Sequence, residues 1–262
     1  MKTNEKYRRP ARPEPAEEIE GQLEGRNALT EALKSGRTID KVFIAAGETD
    51  RALQRLAAQA KEAGAVVVPV DRRKLDAMSV TKAHQGVITL AAAHEYYTLD
   101  DLLQEAADRG EAPLLVICDE LTDPHNLGAI LRSAECAGAH GVIIPKRRSV
   151  GLTAVVSKAS AGAVEYMKVA RVTNISAAIE ELKQKGVWIY GTAAEGSIPM
   201  YKADLTGPAA IVIGNEGVGM SQLVRKNCDV MVHIPMKGSI SSLNASAAAS
   251  ILLYEAVRQR LG

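Results

Sequence analysis

Short apolar runs alternate with amphipathic segments along most of the chain. In the first half, apolar residues at helical spacing predict a helix that starts near Ala28. The other elements predicted there are a strand at 42–44, a helix over 51–62 and strands at 66–68 and 86–92. Strand, helix and strand in alternation favour a small α/β domain over residues 21–93.

The second half repeats this alternation on a larger scale. A polar helix over 98–109 reads as a linker within 94–112, and the break before Pro113 indicates a domain boundary. Later apolar runs are nearly continuous, as expected for strands covered on both faces of a parallel sheet. The predicted strands lie at 114–118, 142–144, 187–190, 209–213 and 230–234, with helices over 127–137, 175–185 and 244–260.

Composition narrows the class of protein. The chain has 262 residues, enough for one or two domains, and its 47% hydrophobic content is typical of globular proteins. Aromatic residues are only 3%, which disfavours a surface that stacks single-stranded bases on rows of aromatic rings. The net charge of +1 means that any contact with RNA has to come from local basic patches.

The amino-terminal segment 1–20 has little to bury and is expected to be a disordered tail. Its arginines Arg8, Arg9 and Arg12 either contact RNA phosphate or, as the favoured alternative, are merely solvated. The segment lacks the apolar stretch of a signal peptide, and no run of about 18 apolar residues predicts a membrane span. Three cysteines without a CxxC pair favour a reducing cytoplasm and no metal site.

Three segments of the second half lie where strands end, which is where open α/β sheets bind ligands. In the first, DPHNLGAILRSAE, Asn126 is a natural helix N-cap and Arg132 lies in that helix's second turn. A capped helix with a surface arginine is the alternative. In the second, IVIGNEGVGM, glycines surround Glu216. Their spacing differs from the G-x-G-x-x-G fingerprint, which argues against a nicotinamide dehydrogenase.

The third segment leads from IPMKGSISSLN into ASAAASILLY. No charged residue occurs from Asn244 to Tyr254, so this helix is expected to be buried around its circumference, inside the domain or in a subunit interface. Ser242 or Asn244 acting only as a helix cap is the alternative.

Together, DPHNLGAILRSAE, IVIGNEGVGM and IPMKGSISSLNASAAASILLYEAVRQR resemble the three motifs of the SpoU (TrmH) RNA 2′-O-ribose methyltransferases. The segments EGRNALTEAL and HQGV are similar to the added substrate domain of bacterial 23S rRNA guanosine methyltransferases. The resemblance implies an α/β fold in which a trefoil-knotted parallel-sheet methyltransferase domain, 113–262, follows a small α/β substrate-binding domain. It also implies S-adenosylmethionine as cofactor and a homodimer.

The resemblance carries over to individual positions of this chain. The implied catalytic residues are Arg132, Asn126, Glu216, Asn244 and Ser242. The implied cofactor-binding residues are Gly214, Ile234, Leu243, Thr192, Ala193, Gly217 and Met236. The family assigns proton removal to the arginine. A free guanidinium has a pKa of about 12.5–13.8, so Arg132 either acts as the base or stabilises the developing alkoxide.

Basic side chains are the candidate contacts with RNA phosphate. They are Arg72, Arg73, Lys74 and Lys82 in the first domain and Lys146, Arg147 and Arg148 after a strand of the second, where a solvated loop is equally favoured. The expected reaction is methyl transfer to the 2′-hydroxyl of a guanosine in 23S rRNA of the large subunit, without a metal. The alternatives are a catalytically silent RNA-binding assembly factor and a 2′-O-methyltransferase acting on tRNA or another rRNA nucleotide.

Overall fold

The computed structural model describes residues 19, 21–47, 49–193 and 197–262, arranged around two β-sheets. The predicted disordered tail, with Arg8, Arg9 and Arg12, lies outside these residues apart from Ile19. Within the described ranges, no helix is both long enough and apolar enough to cross a membrane.

The first sheet has four strands in the order β1-β4-β2-β3, with β4 antiparallel to both of its neighbours. Its elements are β1 (Gln22–Glu24), α1 (Arg26–Lys34), β2 (Ile39–Ala45), α2 (Arg51–Glu62), β3 (Val66–Val70), α3 (Arg72–Met78) and β4 (Val87–Ala91). Two of these elements were not predicted from the sequence: β1, which has only three residues, and α3, which is capped by Asp71. The apolar faces of α1 and α2 pack on this sheet and form the first core.

The second sheet has seven parallel strands in the order β7-β6-β5-β10-β8-β11-β9. The strands are β5 (Leu114–Cys118), β6 (Gly141–Pro145), β7 (Val169–Val172), β8 (Trp188–Thr192), β9 (Ile198–Pro199), β10 (Ala209–Ile213) and β11 (Val230–His233). The helices are α4 (Leu99–Arg109), α5 (Pro124–Cys136), α6 (Ala154–Ala159), α7 (Ile175–Gln184), α8 (Gln222–Asn227) and α9 (Ala245–Leu261). Since all strands are parallel, their carboxyl ends lie at one edge of the sheet.

Helix α4, which was predicted to be a linker between the domains, packs on the second sheet. Its side chains Leu99 and Leu102 are buried in one cluster with strand residues of the second sheet such as Leu115. Leu102 lies so close over Gly141 that a Cβ on that glycine would be 2.5 Å from a Leu102 methyl group. The helix looked like a linker because most of its residues are polar, but its apolar positions form one buried stripe.

Helix α9 was predicted to be buried inside the domain or in a subunit interface, and burial inside the domain alone accounts for only one of its faces. Leu252 and Leu253 are buried, whereas Tyr254 is 51% exposed and Ile251 is 36% exposed. The helix is therefore buried on one face only within a single chain, and its uncharged character extends onto the surface.

The two sheets are joined by polar contacts near α6. The Arg37 guanidinium donates to the Glu165 carboxylate at 2.9 Å, and both side chains are almost fully buried. The Tyr166 hydroxyl donates to Glu31 at 2.7 Å. Between them, Gly162 has φ +93° and lies so close to α1 that a Cβ there would be 2.4 Å from Glu31 Cγ.

Because Leu102 is buried under the second sheet, Leu102→Ala should lower the free energy of unfolding by about 2–5 kcal/mol. Leu103→Ala, in the neighbouring and only partly buried position, is the matched control and should cost clearly less. Urea denaturation followed by circular dichroism measures both. Equal effects of the two substitutions would contradict the close packing of Leu102 on the second sheet.

Candidate active site

The carboxyl edge of the second sheet contains a cavity of about 410 Å³. Loops that follow β8, β10 and β11 form its walls, together with the first turns of α9. Volumes of roughly 300–1,000 Å³ are usual for small-molecule sites, and this lining is mostly apolar with a few polar groups, as such sites require. The cavity is therefore a candidate site for a small organic ligand.

Three polar side chains from distant segments meet at the rim of this cavity. Asn126 Nδ2 donates to Glu216 Oε1 at 3.0 Å, and Asn244 Nδ2 donates to Asn126 Oδ1 at 2.8 Å and to the same Glu216 oxygen. The backbone N–H of Ala245 also donates to Glu216 Oε1, at 3.1 Å. These contacts define the Asn126–Glu216–Asn244 network, in which one carboxylate oxygen accepts three hydrogen bonds.

The beginning of α5 explains the position of Asn126. The prediction that Asn126 is the N-cap is wrong, because Asp123 caps the helix by accepting from the His125 N–H, and Pro124 occupies the first helical position. Asn126 thus lies within the first turn and is only 5% exposed, so its amide is available to Glu216.

Asn244 does cap its helix, as the alternative interpretation held, and it joins the network as well. Its Oδ1 accepts from the Ser246 N–H at 3.0 Å, the Ala247 N–H at 3.2 Å and the Ser246 hydroxyl at 2.6 Å. Three donors on the oxygen fix the orientation of the amide, so its NH₂ group is directed at Glu216. The Glu216 carboxylate lies at the amino terminus of α9, where the helix dipole stabilises a negative charge.

The glycine-rich loop after β10 is folded tightly on itself. Asn215 and Gly219 exchange two backbone hydrogen bonds at 3.1 and 2.8 Å, and Asn215 Nδ2 donates to the Glu120 carbonyl at 3.1 Å. A Cβ on Gly214 would lie 2.4 Å from the Met220 nitrogen, so only glycine fits there without a backbone shift. Asn215 was missed by the sequence analysis, although an amide between glycines is a typical turn signal.

All but one of the implied cofactor-binding residues line the cavity. Those that line the cavity are Thr192, Ala193, Gly214, Ile234, Met236 and Leu243, joined by the implied catalytic residue Ser242. Gly217 is not among the lining residues, and a Cβ there would meet only Asn215 Oδ1, at an ordinary 3.5 Å. The expectation that Gly217 gives space to the ligand is therefore not supported, and Gly214 occupies the tight position instead.

Arg132 is not brought into the network. It lies in the third turn of α5, since the helix begins earlier than predicted, and about 240° around the helix from Asn126. Its side chain is exposed, and no hydrogen bond or ion pair joins it to the rest of the described chain. The next residue, Ser133, contacts Ser250 of α9 through its hydroxyl at 2.7 Å. Arg132 therefore lies on the exposed surface of α5, one residue before a contact with α9.

The candidate RNA contacts are all exposed. Lys146, Arg147 and Arg148 follow β6 at the same edge of the sheet as the cavity, and Arg148 pairs with Glu120 at 3.1 Å. Arg72, Arg73 and Lys74 form the first turn of α3 in the other domain. Lys82 Nζ donates to the Asp76 carbonyl at 3.0 Å.

Among the described residues, no group of three or more His, Cys, Asp and Glu could hold a metal ion.

A parallel α/β sheet with a cavity and a polar network at its carboxyl edge is typical of proteins that bind a small ligand beside a reactive group. The sequence model of the SpoU rRNA methylase family matches residues 113–254. A second model, for RNA 2′-O ribose methyltransferase substrate binding, matches residues 22–97. The chain belongs to the SpoU rRNA methylase family, which confirms the resemblance and the two-domain α/β fold.

Relatives cover nearly the whole chain. A Bacillus subtilis relative that is named for the TrmH family of tRNA/rRNA methyltransferases is 48% identical over 90% of this chain and 94% of the relative. A 23S rRNA (guanosine-2′-O-)-methyltransferase of Ralstonia nicotianae is 45% identical over 91% of this chain and 95% of the relative. Among solved structures, the SpoU methyltransferase AviRb of Streptomyces viridochromogenes in complex with S-adenosylmethionine has a TM-score of 0.78 and 27% identity, over 92% of this chain and 90% of that one.

The backbone contact at Gly214 predicts that a substitution there weakens cofactor binding, whereas a substitution at Gly217 does not. Gly214→Ala should weaken binding of S-adenosylmethionine at least tenfold, or about 1.4 kcal/mol, because the loop must shift to make room. Gly217→Ala is the matched control in the same loop and should bind normally. Isothermal titration calorimetry measures both affinities. Loss of binding in Gly217→Ala alone would reverse the assignment.

Proposed function

We propose that this protein transfers a methyl group from S-adenosylmethionine to the ribose 2′-hydroxyl of a guanosine in 23S rRNA. The observation that carries the proposal is the Asn126–Glu216–Asn244 network at the rim of a cavity of about 410 Å³. Membership of the SpoU family supports RNA 2′-O-methylation in general, and the relative from Ralstonia nicotianae supports the guanosine of 23S rRNA.

The cavity fits S-adenosylmethionine in size and in chemistry. Val232, Ile234 and Leu252 offer apolar surface to a purine ring, and Gly214 allows a ligand to approach the backbone closely. Among the described lining residues Glu216 is the only Asp, Glu, Lys or Arg, and its carboxylate favours a cationic ligand such as a sulfonium. When bound, the cofactor supplies an electrophilic methyl group.

The protein's own residues then have the task of orienting the ribose. Glu216 Oε1 already accepts three hydrogen bonds, while Oε2 has no partner among the described residues and is available to accept from a substrate hydroxyl. Ser242 lines the cavity beside it. Arg132 supplies a planar cation that stabilises the developing alkoxide and holds the adjacent phosphate.

The assembly we propose is a homodimer formed through the exposed face of α9. Ile251 and Tyr254 are exposed on a stretch of helix without charges, and Ser133, the residue after the exposed Arg132, contacts this helix at Ser250. A second copy covering this face would place Arg132 at the subunit interface.

We also propose that the second domain contains a trefoil knot. The tight packing of Gly214 on Gly219 and the contact between Glu216 and Ala245 support it.

The proposal names 23S rRNA as the target, and the relatives allow one other candidate. The relative from Bacillus subtilis is named for tRNA or rRNA, so tRNA is the second candidate substrate. Mass spectrometry of ribose methylation in rRNA and tRNA, from strains with and without the gene, decides between them. A missing 2′-O-methylguanosine in 23S rRNA is the expected result, whereas a missing modification in tRNA alone would contradict the proposal.

Replacing Arg132 tests the chemistry. Arg132→Ala should lower the rate of methyl transfer by roughly a hundredfold to a thousandfold, as for removal of one transition-state donor, with cofactor affinity unchanged. Arg132→Lys should restore little, because an ammonium group lacks the planar fork. Glu135→Ala, on the exposed surface of the same helix, is the control. A near-normal single-turnover rate in Arg132→Ala would leave Arg132 as a surface residue only.

Charge reversal tests the RNA surface of the first domain. Changing Arg72, Arg73 and Lys74 together to Glu should weaken RNA binding, and the loss should be larger at low salt because phosphate contacts release counterions. The same change in Arg51, Arg55 and Lys61 on α2 is the matched control with equal net charge. Fluorescence anisotropy with labelled rRNA fragments measures the affinities. Equal losses in both variants would show a non-specific effect of charge.

A further inference from the structure

The two sequence motifs of the first domain, EGRNAL and HQGV, meet in the fold. Glu24 ends β1 and begins the first motif, and the second motif closes a loop that runs from Ser79 to Gly86, here called the 79–86 loop. Neither motif contributes to the cavity at the edge of the second sheet. Both motifs instead make hydrogen bonds that hold the 79–86 loop.

Glu24 holds the first part of the 79–86 loop. Its carboxylate is 1% exposed and accepts from the Ser79 hydroxyl at 2.7 Å, the Val80 N–H at 2.6 Å and the Thr81 N–H at 3.2 Å, as well as from the Thr81 hydroxyl. Burial alone raises the pKa of Glu24, but the hydrogen bonds outweigh it and the pKa lies below its ordinary value. Glu24 is therefore an ionised anchor at neutral pH.

The second part of the loop is held just as closely. Gln85 accepts from the Arg26 N–H at 3.2 Å and from Arg26 Nε at 3.3 Å, and buried His84 bonds Asp76 at 2.9 Å. Lys82 and Gln85 have φ values of +54° and +53°, a conformation that costs free energy for residues other than glycine. These contacts hold the 79–86 loop in one conformation although its backbone is strained.

One residue of the methyltransferase domain reaches into the loop. Lys158, on α6, donates through Nζ to Thr81 Oγ1 at 3.0 Å and to the Ala83 carbonyl at 2.6 Å. Thr81 Oγ1 in turn bonds Glu24, so a continuous chain of hydrogen bonds runs from α6 to β1. Lys158 thus joins the loop directly to the domain that carries the cavity.

Helix α6 is itself packed tightly against α5. A Cβ on Gly128 of α5 would lie 2.4 Å from the Ala159 Cβ and 2.8 Å from the Val156 carbonyl, so the two helices touch without space between them. Gly128 is two residues after Asn126 of the Asn126–Glu216–Asn244 network. The position of Lys158 is therefore set by the same helix pair that positions the network.

We propose that Lys158 is a positioning residue that fixes the 79–86 loop, with its exposed Lys82, as a contact for an RNA phosphodiester at a set distance from the Asn126–Glu216–Asn244 network. The inference rests on the proposed RNA methyltransferase function. Lys158 does not touch the reacting atoms, and it acts through Thr81 and Ala83.

Lys158 acts on the loop rather than on the attachment of the whole domain. The hydrogen bond from Tyr166 to Glu31 of α1 and the ion pair of Arg37, in the segment after α1, with Glu165 join the first domain to residues 162–166 without Lys158. Removing the Lys158 ammonium should therefore release the loop while both domains stay folded and in contact.

The test compares Lys158→Met, Lys158→Arg and Lys183→Met in the full chain. Lys183 is the matched control, since it donates to the Asn227 carbonyl at 3.1 Å and pairs with Asp229 at 2.8 Å inside the second domain. Lys158→Met should raise the KM for rRNA about tenfold, as for loss of one hydrogen bond to a charged group, with kcat within about twofold. Lys158→Arg should restore most of the loss, because a guanidinium also donates to two acceptors.

Two further measurements separate positioning from general stability. Hydrogen–deuterium exchange without RNA should be faster in the 79–86 loop of Lys158→Met, with α5 and α9 unchanged, and calorimetry should give wild-type affinity for S-adenosylmethionine. Thr81→Val, which removes the acceptor from the loop side, should raise the KM for RNA in the same way.

An unchanged KM together with unchanged exchange in the loop would overturn the proposal, and so would a parallel loss of cofactor binding. If the wild-type protein neither bound nor methylated RNA, the proposed function would fail. The exchange measurement would then decide alone whether Lys158 holds the loop.

Discussion

A single carboxylate oxygen organises the candidate site. Glu216 Oε1 accepts from Asn126, from Asn244 and from the first N–H of α9, and thereby joins segments that lie 90 residues before it and 28 residues after it. A carboxylate in this position needs donors, and none of the three loops can supply enough alone. These hydrogen bonds therefore form only when the whole domain is folded. They also fix the first turns of α5 and α9 relative to one another, because Asn126 and Ala245 both donate to Glu216 Oε1.

The shape of the cavity follows from this arrangement. Since α9 starts at the network, its first turns form a wall opposite the loop after β10, and Gly214 lets that loop turn back on itself. Parallel strands bring the loops to the same edge, as open α/β sheets do in general. The side chains that would contact a small ligand are thus held in place within one chain, whereas Arg132 is exposed and reaches no partner in the described part of that chain.

Much of this fold could be predicted from the sequence, for identifiable reasons. β5 and β10 lie at the predicted residues because continuous apolar runs between polar turns leave little choice of boundary. The function of Asn126 could not be read from local rules, because Asp123 followed by proline is an equally good cap and only the distant Glu216 decides between them. Likewise, the G-x-x-G-x-G spacing indicates a tight turn, but which glycine is indispensable depends on the path of the backbone near Met220.

The cavity and the proposed RNA contacts depend on different physical forces. The cavity and its network are held by packing and hydrogen bonds, which salt screens little, whereas the RNA contacts proposed for the exposed cations on α3, in the 79–86 loop and after β6 depend on attraction that salt screens strongly. With a net charge of only +1, the protein as a whole attracts RNA weakly, so where its cations are placed matters more than their number. A contact such as that of Lys158 with the 79–86 loop is then needed, because cations that carry no sequence information can still position a substrate if their distance from the network is fixed.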